Sequence, residues 1–418
     1  MNEVSIFSLF LNLTLIRLYS QYLIVSINRY KIKHMRGKIC LLTFNFLVLA
    51  MCSVPMRSPA QQGTDSLANA LKSKILGKLN NFTFGLYIDA YYNWTIMSQK
   101  DTSNLIPFSG NCPIQDQIRM NVAALEFYYN AEKVRGKLAI QYGDAPNLLA
   151  APEMQFIKTL RQANFGFRIV KDLWLDFGYM LNPIGIESSW PVINQISVVT
   201  VGGYYEPGSV LGAKLSYRFS PKFSGGLMIG NPFSLAYSQN THMAGIVFLT
   251  YEPWKKLSLT YNNFFGNQAL VDAEVNNDIV YNNIIIRYFP TKSFDLTGQF
   301  DFAVQTNSQL PPDTNKTALM CSGFVQANYQ INKLFALTAR FEYLDDPHGF
   351  LTGFYTYDNK VTGLSTRGFT LSFEYKPVSF GYIRAAYRYL HANNGNKVFY
   401  SNTSDFMQSI IFTTGVRF

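Results

Sequence analysis

The sequence predicts an all-β fold class, a transmembrane antiparallel β-barrel of about 16 strands, within a range of about 14 to 18. Three observations predict it. Apolar residues recur with a period of two, the composition combines many aromatic residues with few charged ones, and the chain ends on a strand-like run with a terminal aromatic residue. A period of two is that of an extended strand, whose successive side chains point to opposite faces.

The composition fits neither a typical soluble domain nor a bundle of membrane helices. Of the 418 residues, 16% are aromatic and 15% are charged, and the mean hydropathy is close to zero. Soluble domains carry about 25% charged residues, and membrane helices need runs of about 18 apolar residues, which the sequence lacks after residue 60. A membrane β-barrel accounts for both observations, because its lipid-facing and lumen-facing positions average out along each strand.

Residues 35–60 have the features of a secretory signal peptide. Arg36 and Lys38 supply its basic start, Ile39–Met51 its apolar centre, and the Ser-Pro-Ala triplet ending at Ala60 its cleavage site. We therefore expect cleavage after Ala60. Lipidation of the cysteine that follows the apolar centre is the alternative, although a methionine stands where a small residue is wanted.

Two further segments precede the predicted barrel. We interpret residues 1–34 as upstream translation before the true start at Met35, and a membrane anchor that stays uncleaved is the alternative. Residues 61–80 carry leucine and isoleucine at helical spacing, so we expect a short periplasmic amphipathic helix and linker there. The barrel itself is predicted to span residues 81–418.

Most of the basic excess belongs to the N-terminal segment. The net charge of +10 includes seven basic residues and one acidic residue before position 61, so the remainder carries about +4. This small excess removes the main support for nucleic-acid binding, and no nucleic-acid partner is expected. Cys112 and Cys321 remain in the expected mature chain, and the sequence leaves open whether they form a disulfide or stay free thiols.

The run FTFGLYIDAYYNW, residues 82–94, shows the alternation and fixes its direction. Its even positions are apolar, from Phe82 to Trp94, whereas its odd positions include Asp89. A carboxylate facing hydrocarbon would cost a few kcal/mol. The even face should therefore meet lipid, and Asp89 should point into a water-filled lumen.

Other segments follow the same rule, namely VRGKLAIQY, LWLDFGYML, FDLTGQFDF, LFALTARFEY and YIRAAYRYL. In each, polar or charged residues alternate with aliphatic or aromatic ones, so the charged set is predicted to face the lumen. With Asp89, the candidate pore-lining residues on strands are Arg135, Lys137, Asp176, Asp295, Asp301, Arg340, Glu342, Arg384 and Arg388. Both signs of charge are present, so these residues predict no preference for anions or cations.

The connections between the predicted strands alternate in length. Short turns such as Lys171–Asp172 and Pro290–Lys292 alternate with long polar loops such as Gln305–Lys316. This is the layout of an outer-membrane barrel. The phase of the alternation is lost near Ala123 and Ala124, which indicates a β-bulge.

The connection Asn182–Gly208 carries a further candidate residue. Long loops in compact folds are usually functional, and this one contains the isolated acid Glu187, which we add to the candidate pore-lining residues. We expect the loop to fold inward and narrow the channel. A plain extracellular loop, or an extra hairpin around Ile196–Val201, is the alternative.

The last ten residues, SIIFTTGVRF, place Ile410, Phe412, Thr414, Val416 and Phe418 on one face. A final strand that closes the sheet and ends on an aromatic residue is typical of outer-membrane barrels, because an open strand edge cannot exist in hydrocarbon. We expect the barrel-assembly machinery to recognise this strand through Phe418.

Five segments carry a resemblance to a known family: GLYIDAYYNW, YYEPGSVLGAKLSYRF, ARFEYLDDPHGFLTG, FTLSFEYKPVSFGYIRAAYRY and IIFTTGVRF. Together they resemble the OmpL-like outer-membrane β-barrel porin family of Gram-negative bacteria, and the resemblance spans roughly residues 80–418. It implies a barrel in the bacterial outer membrane whose members are expected to conduct small molecules. It carries over no binding residues, because the shared motifs are strand patterns.

Catalytic motifs give no support for an enzyme. The expected mature chain has the histidines His242, His348 and His391, and neither HExxH nor GxSxG occurs. The cluster Asp345–Gly349 could activate water or hold a cation, but a polar turn after a strand is the simpler interpretation.

These features predict an outer-membrane porin through which small hydrophilic solutes diffuse passively, without enzymatic activity or a cofactor. Its expected partners are outer-membrane lipid and those solutes, and homo-oligomer formation is left open. The alternative is a substrate-specific or hydrophobic-compound channel, which would show an apolar path through the lumen. A barrel enzyme or an adhesin is a third option.

Overall fold

The computed structural model describes residues 80–96, 104–149, 153–231, 242–269, 273–357, 360–400 and 402–418. The predicted upstream segment and signal peptide lie outside the described residues, as does the predicted amphipathic helix apart from Asn80. Those three assignments therefore stay predictions.

Sixteen antiparallel strands close into one barrel, so the predicted fold class and strand number are confirmed. Each strand pairs with its neighbours along the chain, and the first pairs with the last, with Asp89 opposite Gly415. The barrel strands are β1 (Phe82–Thr95), β2 (Ile118–Asn130), β3 (Val134–Tyr142), β4 (Leu160–Val170), β5 (Leu173–Leu181), β6 (Ser209–Ser220), β7 (Phe223–Gly230), β8 (Ala244–Trp254), β9 (Leu257–Asn267), β10 (Asp278–Tyr288), β11 (Phe294–Gln305), β12 (Ala318–Gln330), β13 (Phe335–Asp346), β16 (Leu364–Val378), β17 (Gly381–Ala392) and β18 (Phe406–Arg417).

The remaining regular elements are short and lie in the long connections. Between β13 and β16, strands β14 (Tyr355–Tyr357) and β15 (Lys360–Thr362) form a separate small hairpin. The α-helices in the described ranges are α1 (Asp144–Leu149), α2 (Gln155–Lys158) and α3 (Val201–Tyr204). No helix in the described part of the chain is both long and apolar enough to cross a membrane.

The two faces of the barrel wall are assigned as the alternation predicts. On β1, Phe84 is 56% exposed and points outward, whereas Tyr87 and Asp89 point inward and are fully buried. On β11, Phe300 is 51% exposed, and its neighbours Gln299 and Asp301 are buried on the inner face. An outer surface this rich in aromatic and aliphatic side chains exceeds what a soluble monomer exposes.

The predicted loss of phase in β2 is a bulge. Asp89 pairs with Val122 and Ala90 pairs with Met120, so Asn121 is the extra residue. The bulge lies two residues before the predicted position at Ala123, because the register between β1 and β2 shifts at Asn121. As a result Asn121 and Val122 both face inward and are both buried, which the simple alternation would forbid.

The connections separate by length between the two ends of the barrel. Turns of two to five residues join β2 to β3, β4 to β5, β6 to β7, β8 to β9, β10 to β11, β12 to β13 and β16 to β17. The long connections lie at the other end. The predicted alternation of short turns and long loops is therefore confirmed, and the start of β1 and the end of β18 both lie at the short-turn end.

The loop end of the interior is apolar, which the alternation did not predict. Inward-facing residues at the loop ends of the strands, among them Met180, Phe264 and Tyr281, pack against loop residues Phe108 and Phe399. We call this cluster the apolar cap, and its buried members are Ile106, Phe108, Met180, Ile184, Val201, Val210, Met228, Ala244, Ile246, Phe264, Ile279, Tyr281, Ala303, Met320, Leu344, Leu364, Leu390, Ala392, Val398, Phe399, Tyr400 and Met407. Polar inward faces are therefore characteristic of the middle and the short-turn half of the interior.

Cys112 and Cys321, the cysteines in the described ranges, are free thiols. Cys112 is buried in the connection between β1 and β2, while Cys321 is half-buried on β12 between the inward-facing residues Met320 and Ser322. The structure thus favours the second of the two alternatives that the sequence left open.

Candidate functional site

The connection Asn182–Gly208, here called the inner segment, lies inside the barrel. Near its start the side-chain amide of Asn262 on β9 donates to the carbonyl of Pro183 at 2.9 Å. Further along, the backbone N–H of Val192 donates to the hydroxyl of Tyr87 on β1 at 3.1 Å. The inward-folding prediction is confirmed, and residues 196–201 form no extra hairpin.

A chain of buried ion pairs fastens the middle of the inner segment to the wall. Arg340 on β13 donates to Glu187 at 2.6 Å and to the carbonyl of Val198 at 3.0 Å. Arg388 on β17 donates to both carboxylate oxygens of Glu342, at 3.0 and 3.1 Å. All four charged side chains are nearly excluded from solvent. Each charge has an opposite partner, which is the condition for keeping charges in a buried position.

The same two acids also hold the backbone of the inner segment. Glu187 accepts a hydrogen bond from the N–H of Thr200 at 2.8 Å. Glu342 accepts one from the N–H of Val201, the first residue of α3, at 2.6 Å. The N–H groups at the start of α3 have no intrahelical carbonyl to bind. Glu342 on the wall and Glu187 in the inner segment accept their hydrogen bonds instead.

Arg384 on β17 makes a second anchor. Its Nε donates to Glu374 on β16 at 2.7 Å, and its Nη1 donates to the carbonyl of Pro191 at 2.8 Å. With Arg340 and Arg388 it was predicted to line the pore. The three arginines do face inward, but each is at least 97% buried. Arg340 and Arg384 hold the inner segment and Arg388 pairs with Glu342, so none presents free charge to the interior.

The carboxylate of Asp89 is also buried, so it is not exposed to the open space inside the barrel. It accepts hydrogen bonds from Asn121, the bulge residue of β2, at 2.9 Å and from the hydroxyl of Tyr382 on β17. The Tyr382 hydroxyl lies 3.1 Å from that of Tyr87, which in turn holds the inner segment at Val192. The predicted direction of Asp89 is confirmed, and its place is at the seam where the last strands meet the first.

The two acids on β11 are bound by amides. Asp301 accepts from Asn283 at 2.6 Å and from Gln299 at 2.9 Å. Asp295 accepts from the amide of Gln195 in the inner segment at 3.0 Å. Amide donors stabilise a carboxylate without cancelling its charge, so β11 presents negative charge beside the inner segment.

Glu206, near the end of the inner segment, lies close to this acidic strand. Gln299 donates to its carboxylate as well as to that of Asp301. Burial raises the pKa of Glu206 well above its ordinary value, and the negative charges of Asp301 and Glu187 raise it further. Sequence reasoning did not select Glu206, because its neighbours on β11 are nearly a hundred residues away in the chain.

Basic side chains dominate the inner face of β3–β6. Arg135 donates to Asp176 at 2.6 Å, and the ammonium of Lys214 lies 3.9 Å from the same carboxylate. Arg135 and Lys214 keep about 30% of their side-chain surface exposed. We call the inward-facing bases of these strands the basic wall, and its members are Arg135, Lys137, Arg161, Arg168, Lys214 and Arg218.

Four members of the basic wall were not predicted. Lys214 and Arg218 alternate with Leu215, Tyr217 and Phe219, so the period of two could have found them. The other two, Arg161 and Arg168, lie on β4.

The inward direction of Arg161 depends on a register shift. Ala139 pairs with Gln162 while Ile140 pairs with Leu160, so Arg161 is an extra residue. Its guanidinium lies 4.1 Å from the ring centre of Trp190 and donates to the hydroxyl of Ser189 at 2.7 Å. Unlike the bulge of β2, this one was not recognised in the alternation of its own strand, since the pairing with β3 decides where it falls.

A cavity of about 340 Å³ lies beside the inner segment at this wall. Arg161 and Lys158 contribute positive charge to its lining, Glu187 contributes negative charge, and Glu206 contributes a carboxyl group whose pKa burial raises. Tyr179 and Leu160 supply apolar surface. A cavity of this size and mixed lining can hold water and small solutes.

Two other possibilities from the sequence receive no structural support. Asp346 accepts hydrogen bonds from the backbone N–H groups of Leu351 and Thr352, both at 3.0 Å, as a residue that shapes a turn does. The cluster Asp345–Gly349 therefore corresponds to the polar turn. In the described ranges no group of three histidine, cysteine, aspartate or glutamate residues is arranged to hold a metal ion.

Comparison with known proteins agrees with this architecture. Residues 81–418 match the family described as "Putative beta-barrel porin-2, OmpL-like". Among curated proteins no match is found.

Solved structures similar to this chain are porins and outer-membrane channels. Salmonella typhi OmpF, in complex with daunomycin, is 13% identical with a TM-score of 0.56, over 81% of this chain and 97% of that one. The outer membrane channel DcaP of Acinetobacter baumannii is 11% identical with a TM-score of 0.55 over the same shares. Vibrio cholerae OmpT is 12% identical with a TM-score of 0.51, again over the same shares. At these identities the likeness shows the fold.

Proposed function

Because this chain belongs to the OmpL-like putative β-barrel porin-2 family, we propose that it is an outer-membrane porin through which small hydrophilic solutes diffuse passively. The observation that carries the proposal is the inner segment, which crosses the interior of a closed barrel and is held there by the buried ion pair Arg340–Glu187 and by a hydrogen bond from Arg384 to Pro191. A closed barrel with a fixed internal obstruction restricts passage by size and charge, without needing a bound cofactor or a catalytic group.

The placement in a membrane is supported by the outer surface. Large apolar side chains point outward on every part of the wall, and the N-terminal signal expected at residues 35–60 would direct the chain to the envelope. The bacterial outer membrane is the expected location, with its lipid against this surface. The C-terminal strand with Phe418 is the proposed contact for the barrel-assembly machinery, and a homo-oligomer remains compatible with the apolar exterior.

A substrate-specific channel is the second candidate, and the apolar cap favours it. Phe108 and Phe399 pack with inward-facing residues across the loop end, so passage there requires either movement of the loops or a route beside them. A general porin and a selective channel would differ in which solutes pass.

Planar bilayers test the proposal directly. Purified protein, folded as judged by heat-modifiable migration, should insert with discrete conductance steps. Liposomes containing it should swell in small sugars and lose that response as the sugars grow larger. Folded protein that produces neither steps nor swelling would disprove a porin function, while swelling with one class of solute alone would identify the selective channel.

A further inference from the structure

We propose that the pore prefers small organic or inorganic anions, carrying carboxylate or phosphate groups, and that they pass along the basic wall. This inference rests on the proposed porin function and assigns the charge class of its solutes. It differs from the expectation drawn from the sequence, in which the two signs of charge balanced.

The register of four neighbouring strands places the basic residues in successive rows. Arg135 pairs with Gly166, Gly166 with Asp176, and Asp176 with Lys214, so these positions form one row across β3–β6. One step toward the loops, Lys137 pairs with Asn164. Arg161 lies still closer to the loops, and its side chain lines the cavity.

The row nearest the short turns extends the basic wall to the mouth of the barrel. There Arg168 pairs with Trp174. The guanidinium groups of Arg135 and Arg168 lie 4.4 and 5.0 Å from the ring centre of Trp174. Stacking on the indole leaves the N–H donors of Arg168 available for an oxyanion, whereas Arg135 also donates to Asp176. Arg168 and Arg218 are exposed, so a solute can reach them from the mouth.

The charges of the basic wall are cancelled only in part by nearby carboxylates. Asp176 is the acidic residue on the inner face of these four strands in the described structure, and it contacts Arg135 and Lys214 together. On the far wall, by contrast, Arg340, Arg384 and Arg388 are buried against carboxylates of equal number. Within the described ranges, five inward-facing cations in contact with solvent lie on β3–β6, namely Arg135, Lys137, Arg168, Lys214 and Arg218. Elsewhere on the inner face, exposed Arg119, Lys376 and Arg417 each pair with a carboxylate, and Arg287 lies at the short-turn end of β10.

The acids of β11 lie on the opposite side of the barrel from the basic wall. In the closed order of strands β11 lies eight strands from β3 whichever way the barrel is followed, so the two are diametrically opposed. The carboxylates of Asp295 and Asp301 accept amide hydrogen bonds there. Opposed rows of unlike charge create a transverse field across the interior, which draws anions toward β3–β6.

Reversal potentials in a potassium chloride gradient measure the proposed preference. Wild-type channels should favour chloride over potassium. Lys137→Glu combined with Lys214→Glu should reverse that preference, because it makes two central positions of the basic wall negative. Lys137→Gln with Lys214→Gln, which has the shape of the glutamate variant without its charge, should give an intermediate ratio and guards against misfolding of the first variant.

Lys171→Glu with Lys222→Glu is the matched control. Both lysines are exposed in short turns beside the same mouth, outside the barrel interior, and the double change alters the charge equally. Its effect should be small, and it should disappear when salt shortens the Debye length below its value of about 10 Å at 0.1 M. Small phosphate- and carboxylate-bearing ions, tested in place of chloride, should also permeate better than cations of similar size.

The outcomes separate the two proposals. Absence of channels from folded wild-type protein would disprove the porin function and this inference with it. Channels that prefer potassium, or a selectivity that neither Lys137/Lys214 variant changes, would overturn the anion route and leave the porin function standing. Equal shifts in the interior and turn variants would show that mouth charge, not the basic wall, sets selectivity.

Discussion

The guanidinium of Arg340 on β13 donates to the carboxylate of Glu187 at 2.6 Å, across 153 positions of sequence. Both side chains are nearly buried. Removing one partner of a buried ion pair costs about 3–5 kcal/mol, because the other charge stays buried without compensation. This contact therefore fixes the middle of the inner segment to the wall.

Glu187→Gln should loosen that attachment. The amide can still accept from the N–H of Thr200, but it cannot neutralise Arg340. We expect larger and noisier single-channel conductance, with the heat-modifiable barrel retained because the strand hydrogen bonds are untouched. Glu274→Gln, at an exposed position of the loop between β9 and β10, is the control. A quiet, wild-type conductance in Glu187→Gln would mean that other contacts suffice to hold the segment.

Phe300→Arg tests the outward face. Its ring is 51% exposed on β11, and an arginine on a lipid-facing site costs about 2–4 kcal/mol at mid-membrane. We expect a smaller yield of folded, membrane-inserted protein, with Phe300→Leu close to wild type. Thr250→Arg, on the inner face of β8, should fold normally. Similar loss in both arginine variants would contradict the face assignment.

The fold could be predicted from the sequence because the two faces of most strands differ chemically. The outward face is apolar, and the inward face carries polar and charged residues. The run around Asp89 alternates strictly, and one buried carboxylate decided which face points inward. On β10 that contrast disappears, since Ile279, Val280 and Tyr281 are consecutive and apolar. The apolar cap therefore gave no signal: both faces of its strands are hydrophobic, and period two cannot separate two apolar surfaces.

The site depended on information that one strand does not contain. Arg340, Arg384 and Arg388 were correctly placed on the inner face, but their burial depends on where the inner segment lies. Lys214 could have been found from its alternating neighbours. Arg161 could not, because the bulge that turns it inward is a property of the pairing between β3 and β4.

Glu206 should make the inner segment sensitive to pH. Burial, with the charges of Asp301 and Glu187, raises the pKa of this acid. The folded state therefore holds the proton more tightly than the unfolded state does, and the contribution of Glu206 to stability falls as pH rises through the interval between the two pKa values. Above the raised pKa, a carboxylate faces that of Asp301 across the Gln299 amide.

We therefore expect conductance fluctuations to increase from acidic to alkaline pH in the wild-type channel. Glu206→Gln should remove that increase, since it keeps the shape of the protonated acid and has no charge to gain. Glu274→Gln should retain it. A pH response that persists unchanged in Glu206→Gln would assign the effect to another group.

The apolar cap should limit passage at the loop end. Phe399 is fully buried, and its ring centre lies 5.7 Å from that of Phe108 in an edge-on arrangement. Replacing a buried phenylalanine by alanine costs about 3–5 kcal/mol, and here that cost falls on contacts between two loops, not on the strand ladder. Phe399→Ala should consequently raise conductance and expose the loops to proteolysis, while the barrel keeps its heat-modifiable migration.

Phe354→Ala provides the comparison, because this phenylalanine lies in the neighbouring long connection and is 66% exposed. It removes the same side chain without emptying the cap, so its conductance and its protease pattern should match the wild type. If Phe399→Ala also matches the wild type in both measurements, the cap does not restrict the path, and solutes enter beside it, next to the cavity at Arg161. An increase in proteolysis without a change in conductance would lead to the same conclusion, since the loops would then have loosened without widening the route.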